Sequence, residues 1–401
     1  MTILNENKND KKKKILFVMD TLRMGGAEKS LVTLLKTMDS SKYKVDLLLF
    51  EEGGILQPEI PEWINIVIAD DITRAMTLEF SKYARVLIKR GKIKAFLSRF
   101  LISIEARITK KARFTWAKIK EYIPPVKKEY DVAISYLEGT PAFYALDKIN
   151  AKKKIGWIHI DMTNRVISEQ ERKYYNRFDH IATISEVCKD AFINLVPEVE
   201  NKISIIENIV LEDEIKEKAS KEADFSSWSN ECVNLVTVGR LDIQKGIDIA
   251  IEACEKLVEM GLNVCWHVYG KGSQQQYLKD LIYQKKLKEI FRLEGVAVNP
   301  YPYMNRADII VQTSRFEGKS IVLDEAKILG KAIVVTRYPS VYDQIEDEAT
   351  GIVVDIDPSA IALGIQRVIK EPELKKKIEK GCLAAANSEM KVIEKLDRIL
   401  Q

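Results

Sequence analysis

Thirteen short runs of aliphatic and β-branched residues punctuate the chain, and most of the gaps between them are long enough for a helix. In the first half they read KILFVMD, KVDLLLF, INIVIAD, YDVAISY, KKIGWIH, HIATIS and ISIIEN; in the second, VNLVTVG, VCWHVYG, FRLEG, DIIVQTS, AIVVT and GIVVD. Continuous apolar runs of this length read as strands buried on both faces. Such strands, joined through helices, form parallel sheets. The expected class is α/β, with two Rossmann-like doubly wound domains facing each other. A polar, acidic stretch, VLEDEIKEKASKEADFSSWSNE, divides the two sets near residue 209. The expected division is 1–208, 209–385 and a C-terminal helix, 386–401, that can pack back on the first domain. A length of 401 residues suffices for two domains.

The stretch SRFEGKSIVLDEAKILGKAIVVT, residues 314–336, holds two glutamates eight apart, Glu317 and Glu325. It reads as strand end, loop, helix and strand, with Ser320 placed to cap the helix and Gly330 to end it. In parallel sheets ligands gather beyond the carboxyl ends of the strands, at helix N-termini. Helical side chains lean toward the N-terminus, so Glu325 can reach back to whatever binds there. Glu317, in the loop, faces the same place. A carboxylate suits a diol, and a helix N-terminus suits phosphate. A nucleotide sugar combines both. An ordinary helix with two solvated glutamates would carry the same pattern.

Other residues fall at comparable places. MDTLRMGGAEKSLVTLL leads from the first strand into a helix, and Gly25 and Gly26 permit close backbone approach and positive φ. A tight turn needs glycine as well, and the pattern is not a dinucleotide fingerprint. VTVGRLDIQKG places Arg240 and Lys245 just past Gly239 at a strand end, where two cations can neutralise a diphosphate. GWIHID and SYLEGTP put His159 and Glu138 at strand ends of the first domain. Asp355 and Asp357 in VVDIDP have the spacing of a metal-binding pair, but turn chemistry before Pro358 explains them, and no metal site is expected.

Composition narrows the class further. No apolar run approaches the ~20 residues of a membrane span. KKKKILFVMD is too short for a signal-peptide core. Cys188, Cys232, Cys254, Cys265 and Cys382 show no metal-like pairing and read as buried free thiols in a reducing cytoplasm. The net charge is +4, but Arg74 to Lys128 carries sixteen Lys/Arg against three Glu, so the remainder is acidic. In this segment Phe80, Tyr83, Ala84, Leu87, Ile88, Phe96, Leu97, Phe100, Leu101, Ile104 and Ile108 recur at helical spacing. It reads either as solvated basic helices or as an amphipathic surface for anionic lipid or an anionic acceptor. No nucleic-acid motif is present.

Taken together, GGAE, GRLDIQKG and EGKSIVLDEA, with NPYPYMNRADIIVQTSRFEG before the last, resemble the family 4 retaining glycosyltransferases, in particular their bacterial polysaccharide members. The resemblance runs from about residue 14 to 390 with the motifs in order. It implies the GT-B fold, two Rossmann-like domains across a cleft. It also implies hexosyl transfer with retention, from a nucleotide sugar, UDP being the expected nucleotide, without metal or other cofactor. Glu317 would contact the donor sugar and Glu325 the ribose. Arg240 and Lys245 would hold the diphosphate beside Gly239, assisted by amides around Ser320, Ile321 and Val322. His159 matches the family's histidine near the transferred sugar, and Gly25 and Gly26 match its glycine loop. Where the family commonly has Gly-Phe-Gly, this chain has Gly318, Lys319 and Ser320. The implied acceptor is a lipid-linked oligosaccharide or an anionic, polymeric cell-envelope glycan. The expected location is cytoplasmic, with peripheral contact to the inner face of the membrane. A sugar-nucleotide epimerase of the same architecture and a non-catalytic GT-B partner subunit are the alternatives.

Overall fold

All thirteen apolar runs are strands. The computed structural model describes residues 12–23, 25–109, 115–163, 165–385 and 389–401, and at 106–109 and 389–391 the backbone alone. Seven strands, β1 (Lys13–Met19), β2 (Tyr43–Leu49), β3 (Asn65–Ile68), β4 (Glu129–Ser135), β5 (Asn150–Ile158), β6 (His180–Thr183) and β7 (Ile203–Ile205), form one sheet in the order 3-2-1-4-5-6-7. Six more, β8 (Val233–Val238), β9 (Val264–Tyr269), β10 (Phe291–Gly295), β11 (Ile309–Gln312), β12 (Ala332–Thr336) and β13 (Ile352–Val354), form a second in the order 10-9-8-11-12-13. Every pairing is parallel. In each sheet the strand order reverses beside its first strand, at β1/β4 and at β8/β11. Those reversals leave a crevice at the carboxyl ends, where ligands of open α/β sheets bind.

Each sheet has its own core. The first buries Ile15, Phe17 and Met19 with one set of neighbours, and Leu16 and Val18 with another, so β1 is covered on both faces. The second core gathers around Val236, Trp266, Ile310 and Val334. Ile209 belongs to the first sheet's core and Val210 to the second's. The helix Glu389–Leu400 buries Val392, Leu396 and Leu400 in the first sheet's core, and Tyr43 donates to Asp397 Oδ1 at 2.9 Å. Among the described residues no helix is long and apolar enough to cross a membrane.

The cysteine expectation needs correcting. Cys232 and Cys265 form a disulfide, while Cys188, Cys254 and Cys382 are free and buried. The parallel register sets Asn234 opposite Cys265, which brings Cys232, two residues earlier, against the neighbouring strand. Spacing along the chain does not reveal such a pairing.

Candidate functional site

The second sheet's reversal brings Arg240, Lys245 and Glu317 together around Gln244. Arg240 follows β8 after Gly239, and Lys245 ends the short 3₁₀ turn Ile243–Lys245. Lys245 Nζ meets Glu317 Oε1 at 2.5 Å. Glu317 is buried and also accepts from Ser314 Oγ at 2.6 Å and Gln244 Nε2 at 3.2 Å. A carboxylate held from three sides in this way is fixed in place before any ligand arrives. Arg240 is more exposed and leans on Asp242 at 3.4 Å and Gln244 Oε1 at 3.2 Å.

Glu325 lies in the helix Ile321–Ile328, almost fully buried. Its carboxylate accepts from the Tyr301 hydroxyl at 3.1 Å and pairs with Lys29. Lys29 belongs to the helix Gly26–Thr37 of the first sheet, so this pair spans the two halves. Burial, followed by the Glu325 charge, pushes the Tyr301 phenol well above its ordinary value. Tyr301 therefore remains a donor.

The loop Gly318–Ser320 also touches the first sheet's residues. A Cβ on Gly318 would stand 2.7 Å from the His159 carbonyl oxygen, so only glycine fits this approach. Ser185 Oγ donates to the Gly318 carbonyl at 3.0 Å, and Lys319, buried, pairs with Glu207 at 3.1 Å. Ser320 holds the N-cap position, but its hydroxyl makes no cap bond. It donates instead to Gln312 Oε1 at 2.7 Å, and its amide donates to Gln344 Oε1 at 2.7 Å. Ile321 and Val322 form the first turn of the helix. Gly25 is extended at φ −160° and Gly26 opens its helix, so neither uses positive φ. A Cβ on Gly26 would lie 3.9 Å from Ile321 Cδ1, so the glycine loop faces the second sheet's helix.

On the first sheet's side, the adjacent strands β1, β4 and β5 end in Asp20, Glu138 and His159. The His159 amide donates to Glu138 Oε2 at 3.3 Å, and its ring packs 4.6 Å from Tyr136. Among the described residues His159 Nε2 is buried without a hydrogen-bond partner, and burial lowers the ring to about 3, so it is neutral. Burial, then the charges of Glu28 and Glu138, raises Asp20 to about 7. Glu28 and Glu138 are raised too, by burial first, and the Arg240 cation opposes the rise at Glu28. Asp20 and Glu28 were not selected from the sequence. Their signal was present: an acid directly after the first strand, and another two residues past the glycine pair. Asp355 pairs with Arg337 at 3.1 Å, and Asp357 caps the helix Pro358–Lys370 through the Ser359 and Ala360 amides.

Two parallel doubly wound sheets meeting at their carboxyl ends define a GT-B fold. Residues 221–382 match the family model described as glycosyl transferases group 1. The chain is 31% identical over 121 residues to the poly(ribitol-phosphate) alpha-N-acetylglucosaminyltransferase of Staphylococcus aureus, covering 29% of this chain and 24% of that protein. It is 30% identical over 144 residues to the N-acetylgalactosamine-N,N'-diacetylbacillosaminyl-diphospho-undecaprenol 4-alpha-N-acetylgalactosaminyltransferase of Campylobacter jejuni, covering 35% and 39%. The matched stretches thus span well under half of either relative. Among solved structures, Anabaena HepE in complex with UDP and glucose superposes with a TM-score of 0.70 at 17% identity, covering 97% of this chain and 99% of that one.

Proposed function

We propose that this protein is a retaining, metal-independent glycosyltransferase. It transfers a hexosyl group from a nucleotide diphosphate sugar, with UDP as the nucleotide, to a lipid-linked or polymeric cell-envelope glycan. One observation carries this reading: Lys245 pairs with Glu317, Gln244 bonds both Glu317 and Arg240, and the Glu317 loop leads directly into the helix that holds the buried Glu325. The likeness to transferases that act on poly(ribitol-phosphate) and on a diphospho-undecaprenol glycan supports the acceptor class.

The chemistry follows from charge. Cleavage of the sugar–phosphate bond leaves growing negative charge on the diphosphate. Lys245 and Arg240 stabilise that charge, helped by the helix dipole at Ile321 and Val322. Glu325 accepts from the ribose hydroxyls and Glu317 from the sugar. His159, neutral and with Nε2 unbonded among the described residues, contributes a polar contact to the sugar rather than a charge. Asp20, Glu28 and Glu138 offer acceptors to the hydroxyls of the incoming glycan. The leaving phosphate takes the acceptor's proton on the same face. The contacts of Gly318 and Lys319 with the first sheet's side exclude water.

The test is thermal stabilisation by a panel of nucleotide sugars, followed by transfer to undecaprenyl-diphosphate-linked and ribitol-phosphate acceptors with and without EDTA. A UDP-sugar should stabilise most, since a ligand that binds only the folded state raises stability by mass action. UDP release should require acceptor and survive EDTA. An isomerised sugar formed without acceptor would instead establish the epimerase. Absence of stabilisation by every donor would establish a non-catalytic subunit.

A further inference from the structure

The helices Phe80–Lys89 and Ile93–Thr109 supply none of the residues of the proposed transfer. The second is apolar on two opposite faces. Ala95 and Ile102 are buried against the first sheet's core. On the other side Ile93, Leu97, Phe100, Leu101 and Ile104 are between 37% and 64% exposed. At about 100° per residue these five fall within one arc about 100° wide, a continuous stripe. Ile88, at the end of the first helix, is 57% exposed. Soluble proteins rarely leave so many large apolar side chains in register on one face without a partner.

Around the stripe stand Arg85, Lys89, Lys92 and Lys94, all exposed. None of the four forms an ion pair with another described residue, whereas Lys82 and Arg90 are engaged by Glu51 and Asp71. Arg107, Lys110, Lys111 and Arg113 of the same basic segment, together with Ile108, lie outside the described side chains.

We propose that this face docks the protein on an anionic lipid surface. The stripe enters the headgroup–acyl boundary and the lysines meet the lipid phosphates. The stripe is a ridge on one helix rather than a groove, which suits a fluid apolar phase that needs no matching shape. The unpaired cations require an anionic counterpart. A second copy of the chain does not supply one, because a twofold contact would set the same lysines against each other. The inference goes beyond the transfer reaction and stands whichever sugar or acceptor is used.

The test is sedimentation of the full-length protein with phosphatidylcholine vesicles, with and without phosphatidylglycerol, across a salt series. Binding should require the anionic lipid and weaken as salt screens it. Lys89→Glu with Lys92→Glu and Lys94→Glu should weaken partitioning by at least about tenfold, since each cation near such a surface contributes about one factor of five. Leu97→Glu with Leu101→Glu should abolish it. Thermal stabilisation by nucleotide should persist in both variants, which establishes that they fold. Wild-type sedimentation by these folded variants would overturn the proposal. So would equal binding to neutral vesicles. A dimer in sedimentation equilibrium that Leu97→Glu dissociates, with no vesicle binding, would also overturn it.

Discussion

The two sides of the cleft handle charge in opposite ways. On the second sheet's side the named ions are paired: Lys245 with Glu317, Glu325 with Lys29, Lys319 with Glu207. On the first sheet's side Asp20, Glu28 and Glu138 are all acids, half-buried, and all raised above their ordinary carboxylate values. The paired side is organised before ligand arrives, so little rearrangement accompanies the growth of charge on a leaving phosphate. The unpaired side is costly to the folded state. Crowding of acids with no direct ion pair persists where a ligand's hydroxyls make use of it. The difference separates a rigid half, suited to holding a donor, from a strained half, suited to receiving an acceptor.

Removing a cation from the paired side should give the largest effect. Lys245→Ala leaves Glu317 with only Ser314 and Gln244. Turnover at saturating donor should fall about 10²–10³-fold, with a smaller loss of UDP affinity, because the charge Lys245 meets grows as the bond breaks. Initial rates with UDP-sugar and acceptor decide it, and an unchanged rate would break the comparison at its centre. Glu325→Ala should act on binding instead. Losing a buried charged acceptor for a diol costs about 1–3 kcal/mol, or about 5- to 150-fold in UDP affinity by titration calorimetry. Unchanged affinity would remove Glu325 from the ribose.

Smaller effects should come from the unpaired side, and pH exposes them. Asp20 is raised from 3.8 to about 7 in the folded protein. Between those values the folded state keeps a proton that the unfolded state releases, so this group's contribution falls as pH rises. His159 is lowered from 6.5 to about 3. There the unfolded state binds the proton first, so stability falls as pH drops through that window. The two slopes oppose each other over roughly pH 4 to 6.5. Asp20→Asn should therefore raise the melting temperature at pH 8 by about 1–3 °C and steepen the loss on acidification. His159→Gln should flatten that loss. Melting curves across pH that fail to move in opposite directions would mean that the two groups do not titrate as their burial dictates.

The strands were legible in the sequence because burial on both faces leaves uninterrupted aliphatic runs. Glu317 and Glu325 were legible because a helix beginning after a strand fixes where its first turns point. Local pattern says nothing about contacts closed by the fold. Lys29 and Glu325 are separated by 296 positions and meet only once the two sheets face each other. Tyr301, in the short helix before β11, reaches Glu325 for the same reason. Asp20 had a visible position but no visible burial, and burial is what makes it unusual. Cys232 and Cys265 depended on strand neighbours rather than on spacing.

Ser320 gives the smallest and most discriminating test. A serine before a helix suggests a hydroxyl that caps the first turn or turns toward a phosphate. Here the hydroxyl bonds Gln312 at the end of β11, and Gln344 bridges the Ser320 amide and carbonyl, donating to the latter at 2.8 Å. The loop is thus tied to its own sheet at three points. Ser320→Ala removes one of them and should cost about 0.5–1.5 kcal/mol of stability. UDP affinity should stay within about twofold, because the backbone that forms the helix start is untouched. Gln344→Ala releases both remaining ties and should weaken UDP binding more than Ser320→Ala does. If Ser320→Ala alone cost tenfold in affinity, the hydroxyl would be leaving Gln312 for the ligand. The second sheet's side would then rearrange on binding, and the contrast between a rigid half and a strained half would fail where it is drawn most sharply.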